Sequence, residues 1–219
     1  GASSGEWKAM IADEAARTTF AKNIKTVLEK NKLDGIDLDF EWAENEKEYK
    51  DYSLAILKMR EVLGDKYLFS VSLHPVCYKI SKEAIEAVDF ISLQCYGPSP
   101  VRFPIEKYCS DIQMVLEYGI PKEKLVAGVP FYGVTKDNSK KTEAYFNFVQ
   151  NGLVTSPAQN EVIYQGDTYV FDGQDNIRIK TRYAKEQKLK GMMSWDLATD
   201  LPLSDSRSLL KTMTEELRE

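Results

Sequence analysis

The run Asp34-Gly35-Ile36-Asp37-Leu38-Asp39-Phe40-Glu41, followed by Trp42, constrains the fold more than any other part of the sequence. Its polarity alternates with a period of two, the period of an extended strand, so Asp37, Asp39 and Glu41 fall on one face and Ile36, Leu38, Phe40 and Trp42 on the other. Carboxylates on that face stand roughly 6.5–7 Å apart along the strand, close enough inside a fold for mutual repulsion to favour a shared proton. A solvated charge run would not alternate strictly with large apolar residues. The pattern therefore predicts a strand bearing an acid/base device, with Glu41 as its outermost and working member.

Helix and strand signals alternate through the rest of the chain. Asp13 is placed to cap a helix over 14–30, in which Phe20, Ile24, Val27 and Leu28 recur at helical spacing. A second helix is predicted over 47–63, with Tyr52, Ala55, Ile56 and Met59 on one stripe and Gly64 suited to the position after its end. Strands are predicted over 67–74, with Ser70, Ser72 and His74 on one face, and over 90–96, with Ser92, Gln94 and Tyr96 on one face. A short helix over 82–87 separates them, and a helix over 105–118 stops at Gly119 with Pro121 beyond. The strand 125–130 then runs into Phe131-Tyr132-Gly133.

From 134 to 175 the regularity weakens, with a short helix near 142–150 and a hairpin of 162–164 and 169–171 about Gly166-Asp167, which reads as an insertion. A helix over 176–189, a strand over 191–195 and a final helix over 206–216 complete the chain. Strands alternating with helices predict a parallel sheet covered by helices, its polar face enclosing a site. An open doubly wound sheet is the alternative arrangement.

With 219 residues, 43% of them hydrophobic and 11% aromatic, the chain is long and apolar enough for one soluble domain with a sizeable core. A net charge of −5 argues against a nucleic-acid partner and against an anionic membrane surface. No run approaches the ~18 apolar residues of a membrane span, and the first residues lack the pattern of a signal peptide, so any export signal is expected to have been removed or to lie upstream. Cys77, Cys95 and Cys109 are odd in number and lack C-x-x-C spacing, which predicts buried free thiols. The lone histidine, His74, cannot by itself make a metal site, and no metal or cofactor is expected.

The octapeptide resembles the D-G-x-D-x-D-x-E signature of glycoside hydrolase family 18, the chitinase-like retaining hydrolases, at every fixed position. Gln94-Cys95-Tyr96-Gly97 resembles that family's M-x-Y-D motif, with Gln94 in place of Met and Gly97 in place of Asp. Val129-Pro130-Phe131-Tyr132-Gly133 also matches, though Val134 stands where many members have Arg, and Ser194-Trp195 matches the final-strand tryptophan. The resemblance implies an α/β fold of the (β/α)8 TIM-barrel type, here only about strands 4 to 8, with a small α+β insertion after strand 7. Residues 1–219 would then be the C-terminal five-eighths of a catalytic domain, with 134–175 inserted in it and Ala2 to Trp7 ending the turn after the third strand. The missing N-terminal part of the barrel would be needed to cover two open sheet edges. A secreted or cell-envelope location is also implied by the family.

The same resemblance implies roles. Glu41 would protonate the glycosidic oxygen, and Asp39 would orient a substrate 2-acetamido group whose carbonyl oxygen attacks the anomeric carbon, so that no second enzyme carboxylate is needed. Asp37, deeper in the barrel, would hold or pass a proton to Asp39, the two titrating as a unit. Tyr96 would hydrogen-bond the acetamido group and Trp195 would pack on the apolar face of the sugar, with Tyr132, Gln94 and His74 as further contacts. Strand parity turns His74 inward, either to contact the sugar or the acids or to fill a structural role. The implied partner is an N-acetylglucosamine-containing oligosaccharide or polysaccharide cut at β-1,4 bonds, as in chitin degradation. Two alternatives stay open: an endo-β-N-acetylglucosaminidase acting on N-glycans, and a non-catalytic sugar-binding barrel.

Overall fold

Local signals set most element ends in the computed structural model, which describes residues 6–97, 103–137 and 141–219. A short helix, α1 (Trp7–Ala12), leads to α2 (Glu14–Asn31), where the Asp13 side chain accepts from the Ala16 N–H at 2.7 Å. After β1 (Gly35–Asp39), Asn45 caps α3 (Glu46–Leu63) by accepting from the Glu48 N–H at 3.0 Å. Gly64 ends that helix at φ 63°, a conformation glycine adopts without strain. There follow β2 (Leu68–Leu73), α4 (Lys82–Ala87) capped by Ser81, β3 (Phe90–Leu93) and α5 (Ile105–Tyr118).

β4 (Leu125–Pro130) is followed by β5 (Tyr132–Thr135), β6 (Thr142–Ala144), α6 (Tyr145–Gln150), β7 (Glu161–Tyr164) and β8 (Asp167–Val170). Then come α7 (Gln174–Glu186), β9 (Gly191–Trp195), a 3-10 turn over Leu197–Thr199 and α8 (Leu209–Arg218). The described chain groups into two compact units, 1–93 with 115–125, and 94–114 with 126–219.

In the first unit β1, β2 and β3 are adjacent and parallel. Helix α3 supplies the cover on one side: Tyr52, Ile56, Met59 and Leu63 recur at helical spacing and are each at most 2% exposed. The Tyr52 hydroxyl donates to the Leu38 carbonyl at 3.2 Å, and its ring lies 5.0 Å from that of Phe40. Leu38, Phe40, Phe69, Val71 and Leu73 are buried, so the apolar positions of both strands form the core and the alternating acids and serines take the opposite face.

In the second unit β4 and β9 pair in parallel, from Val126 opposite Gly191 to Pro130 opposite Trp195. A separate antiparallel sheet has the order β6-β5-β8-β7. Its β7–β8 hairpin turns through Gln165 (φ 52°) and Gly166 (φ 88°), the two positive φ values of a tight two-residue loop.

Several expectations are corrected. The strand expected over 125–130 forms with those bounds as β4; after it Phe131, whose N–H donates to the Trp195 carbonyl and whose carbonyl accepts from the Tyr145 N–H, leads to β5, which starts a different sheet at Tyr132, ahead of the insertion expected from 134. Trp7, read as the last residue of a turn that began at Ala2, instead opens α1; Ile11 is fully buried and the Trp7 ring packs 5.3 Å from Phe20. The stretch 2–5 lies outside the described residues. The last two helices are shifted by two to three residues from the predicted ends, α8 beginning where Ser208 accepts from the Lys211 N–H.

Gly35 faces Leu68 across β1 and β2. A Cβ placed on Gly35 would overlap the carbonyl oxygen of Leu68. Gly35→Ala is therefore expected to lower stability by about 1–3 kcal/mol through overpacking against backbone. Denaturant melts of the two proteins check this, and an unchanged midpoint would show that the strands can separate without loss.

Candidate active site

The β1–β2 register places Asp37 opposite Ser70 and Asp39 opposite Ser72. Ser70 Oγ donates to one oxygen of Asp37 at 2.5 Å and Ser72 Oγ to the other at 2.7 Å. Both oxygens of Asp37 thus act as acceptors, an arrangement suited to a charged carboxylate. Asp37 is exposed in this chain. Ser70 is buried and Ser72 half-buried. The sequence had shown the two serines on one face, but nothing in it named their acceptor.

Asp39 is half-buried, and its carboxyl is pushed above the usual carboxylate range, first by burial and then by the negative charges of Glu41 and Asp37, with His74 acting in the opposite direction. Glu41 lies two residues past the end of β1. Its side chain is 15% exposed, with Oε1 3.7 Å from Nε2 of His74. His74 follows the end of β2, where it forms an isolated bridge with Cys77. Its imidazole meets the Trp42 ring edge to face, centroids 5.1 Å apart. The first unit thus gathers Asp37, Asp39, Glu41 and His74, with Ser70 and Ser72 as the residues sequence reasoning had not assigned a role.

The remaining expected residues belong to the second unit. β3 stops at Leu93, so Gln94 and Tyr96 stand beyond the strand rather than on its inner face; both are nonetheless buried. The Tyr96 ring is T-shaped to that of Tyr132 at 6.4 Å, and its hydroxyl lies 3.9 Å from the sulfur of Met193 on β9. Trp195 ends β9 with 57% of its surface exposed. An exposed indole on a strand end offers a flat apolar face. Met193 carried no sequence signal beyond its strand parity.

Among the described residues no group of three or more His, Cys, Asp or Glu side chains could hold a metal ion. Cys77, Cys95 and Cys109 are free thiols, and burial raises all three, Cys95 to about 12. No described helix is long and apolar enough to cross a membrane.

The family model described as "Glycosyl hydrolases family 18" matches residues 1–200. Among curated relatives, the chain is 23% identical to "Probable chitinase 2" of Drosophila melanogaster, with 90% of this chain aligned to 54% of that protein. It is also 23% identical to "Chitinase A1" of Niallia circulans, with 90% aligned to 39% of that protein. The chain therefore spans about half, or less, of the length of these relatives. Among solved structures, the GH18 chitinase ChiB of Flavobacterium johnsoniae superposes with a TM-score of 0.80 at 26% identity, covering 96% of this chain and 68% of that one. A chitinase from Bacteroides thetaiotaomicron gives 0.84 at 21% identity, covering 97% and 72%. A chitinase-like agglutinin from Robinia pseudoacacia gives 0.81 at 18% identity, covering 96% and 75%.

The raised Asp39 carboxyl has a consequence for stability. The folded state holds that proton more tightly than the unfolded chain, so stability falls as pH rises from about 3.9 through the folded-state value, and the full penalty is present above it. Asp39→Asn, which cannot ionise, is expected to be more stable than the parent at neutral pH, with the gain shrinking toward pH 4. Urea melts at a series of pH values read this directly; a pH-independent difference would contradict it.

Proposed function

This chain belongs to glycosyl hydrolase family 18, its βα units forming part of a (β/α) barrel, and on that premise we propose that it is the acid-bearing portion of a retaining, substrate-assisted hydrolase. The bonds cut are β-1,4 linkages at N-acetylglucosamine, as in chitin and its oligosaccharides. The observation that carries this reading is the single file of Asp37, Asp39 and Glu41, in which Asp37 is held by two serine hydroxyls and Asp39 has a raised carboxyl.

The division of labour follows from these environments. Glu41, past the strand end, donates its proton to the glycosidic oxygen, and then as carboxylate draws the proton from the incoming water. Asp39, protonated more readily than an ordinary carboxyl, hydrogen-bonds the acetamido group and steadies it while its carbonyl oxygen bonds to the anomeric carbon and the leaving sugar departs. Asp37 holds a proton or passes it to Asp39, so that Asp39 is protonated while the acetamido group cyclises. Tyr96 hydrogen-bonds the acetamido group, Trp195 packs against the sugar ring, and Tyr132 and Gln94 contact the bound sugar.

Gln94 and Gly97 depart from the M-x-Y-D pattern, and this favours a second reading, an endo-β-N-acetylglucosaminidase cutting between the paired core sugars of N-glycans. Product analysis on a chito-oligosaccharide and on a high-mannose glycopeptide separates the two. In either case Glu41→Gln is expected to lower kcat by about 10²–10⁴-fold in the full-length enzyme while leaving ligand affinity near the parent value, since the amide keeps the shape but not the proton. Turnover within tenfold of the parent would remove Glu41 from the role of acid, whereas a parent that binds the sugar without cleaving it would favour a sugar-binding barrel.

A further inference from the structure

The turn after β2 grips the Glu41 segment at two points. Its ends are joined backbone to backbone, His74 N–H donating to the Cys77 carbonyl at 3.2 Å and Cys77 N–H to the His74 carbonyl at 2.8 Å. Cys77 Sγ accepts from the backbone N–H of Ala43 at 3.2 Å, two residues past Glu41. The Tyr49 hydroxyl on α3 donates to the Val76 carbonyl at 3.1 Å, fastening the turn to the helix. On the same segment the imidazole of His74, 5% exposed, stands 3.7 Å from the Glu41 carboxylate and against the Trp42 ring.

From this geometry we propose that His74 is a positioning residue for Glu41, its imidazole balancing the charge left on that carboxylate once the proton has been given up. The proposal rests on Glu41 being the proton donor. A separation of 3.7 Å is longer than a hydrogen bond but within ion-pair range, so the coupling acts through charge. The other titratable groups around the pair are Asp39 and Asp37 on β1, Cys77 on the turn, and Tyr49 and Glu48 on α3. Of these Asp39 is the rival partner, because it too feels the charge of His74. The thiol and the phenol are neutral at working pH, their ionisation being pushed up by burial.

In a sequence with one histidine, Glu41 and His74 form a pair whose titration can be followed from the imidazole. The test is an NMR pH titration of the His74 ring in the full-length protein, its signal identified by loss in His74→Gln. Glu41→Gln is expected to lower the His74 pKa by about one unit or more, the size that a charge at this distance produces, and by more than Asp39→Asn does. An unchanged His74 titration in Glu41→Gln, or a larger drop in Asp39→Asn, would overturn the pairing. A second readout is the pH profile of kcat/KM, whose alkaline limb is expected to move to higher pH in His74→Gln because loss of the cation makes Glu41 a weaker acid; movement to lower pH would also overturn it. The titration needs no turnover, so an active Glu41→Gln enzyme would refute the proposed function without affecting the measured pairing.

Discussion

The separation of β1 and β2 at Gly35 is the constraint on which the acid-bearing unit depends. Gly35 lies across from Leu68 with no room for a side chain, and the Leu68 N–H donates to the Asp34 carbonyl at 2.9 Å. Parallel pairing from that point fixes the register, and the register alone decides that Ser70 and Ser72 fall beside Asp37. A slip of one residue would turn the serines into the core and bring Phe69 and Val71 to the acids. Helix α3 secures the same register from the apolar side, where Tyr52 reaches the Leu38 carbonyl between the two aspartates in sequence.

That packing makes three nearby carboxylates tolerable by treating each differently. Asp37 is exposed yet bonded at both oxygens, Asp39 is half-buried with a raised carboxyl, and Glu41 lies past the strand end beside an imidazole. Burial raises the Asp39 carboxyl, and that sets it apart for a role as a protonated group. Burying Asp39 opposes folding, whereas the exposed Asp37 needs no such offset and is instead held in place by the Ser70 and Ser72 hydroxyls. A scaffold with no use for the acids would gain stability by replacing Asp39.

Much of this was legible in the sequence because the signals were local. Asp13, Asn45, Ser81 and Ser208 all cap helices, and although the sequence reading named only Asp13, each has the residue type and side-chain bond of a helix start. The acid strand and the Gly166 hairpin followed from periodicity and turn chemistry. What escaped was decided by distant contacts or by segments too short to show a period. Helix α1 has six residues, so its burial of Ile11 could not be read from a repeat. The start of a second sheet at Tyr132 follows contacts of Phe131 with Trp195 and Tyr145, which no local pattern shows. Gln94 and Tyr96 were given the parity of a strand that ends before them, and the 3.7 Å approach of His74 to Glu41 depends on a turn whose bonds no spacing rule supplies.

The central claim is that the acids of β1 serve a nucleophile carried by the substrate. Its most direct test is kcat for matched 2-acetamido and 2-hydroxy glycosides on the full-length enzyme, with a thiazoline analogue of the cyclised intermediate as inhibitor. If the acetamido oxygen is the attacking atom, the 2-hydroxy substrate should lose turnover far more than binding, and the thiazoline should bind more tightly than substrate, since the site complements the developing charge. Equal rates on the two substrates with no inhibition by the thiazoline would contradict substrate assistance and require an enzyme nucleophile outside the strand of Asp37 and Asp39.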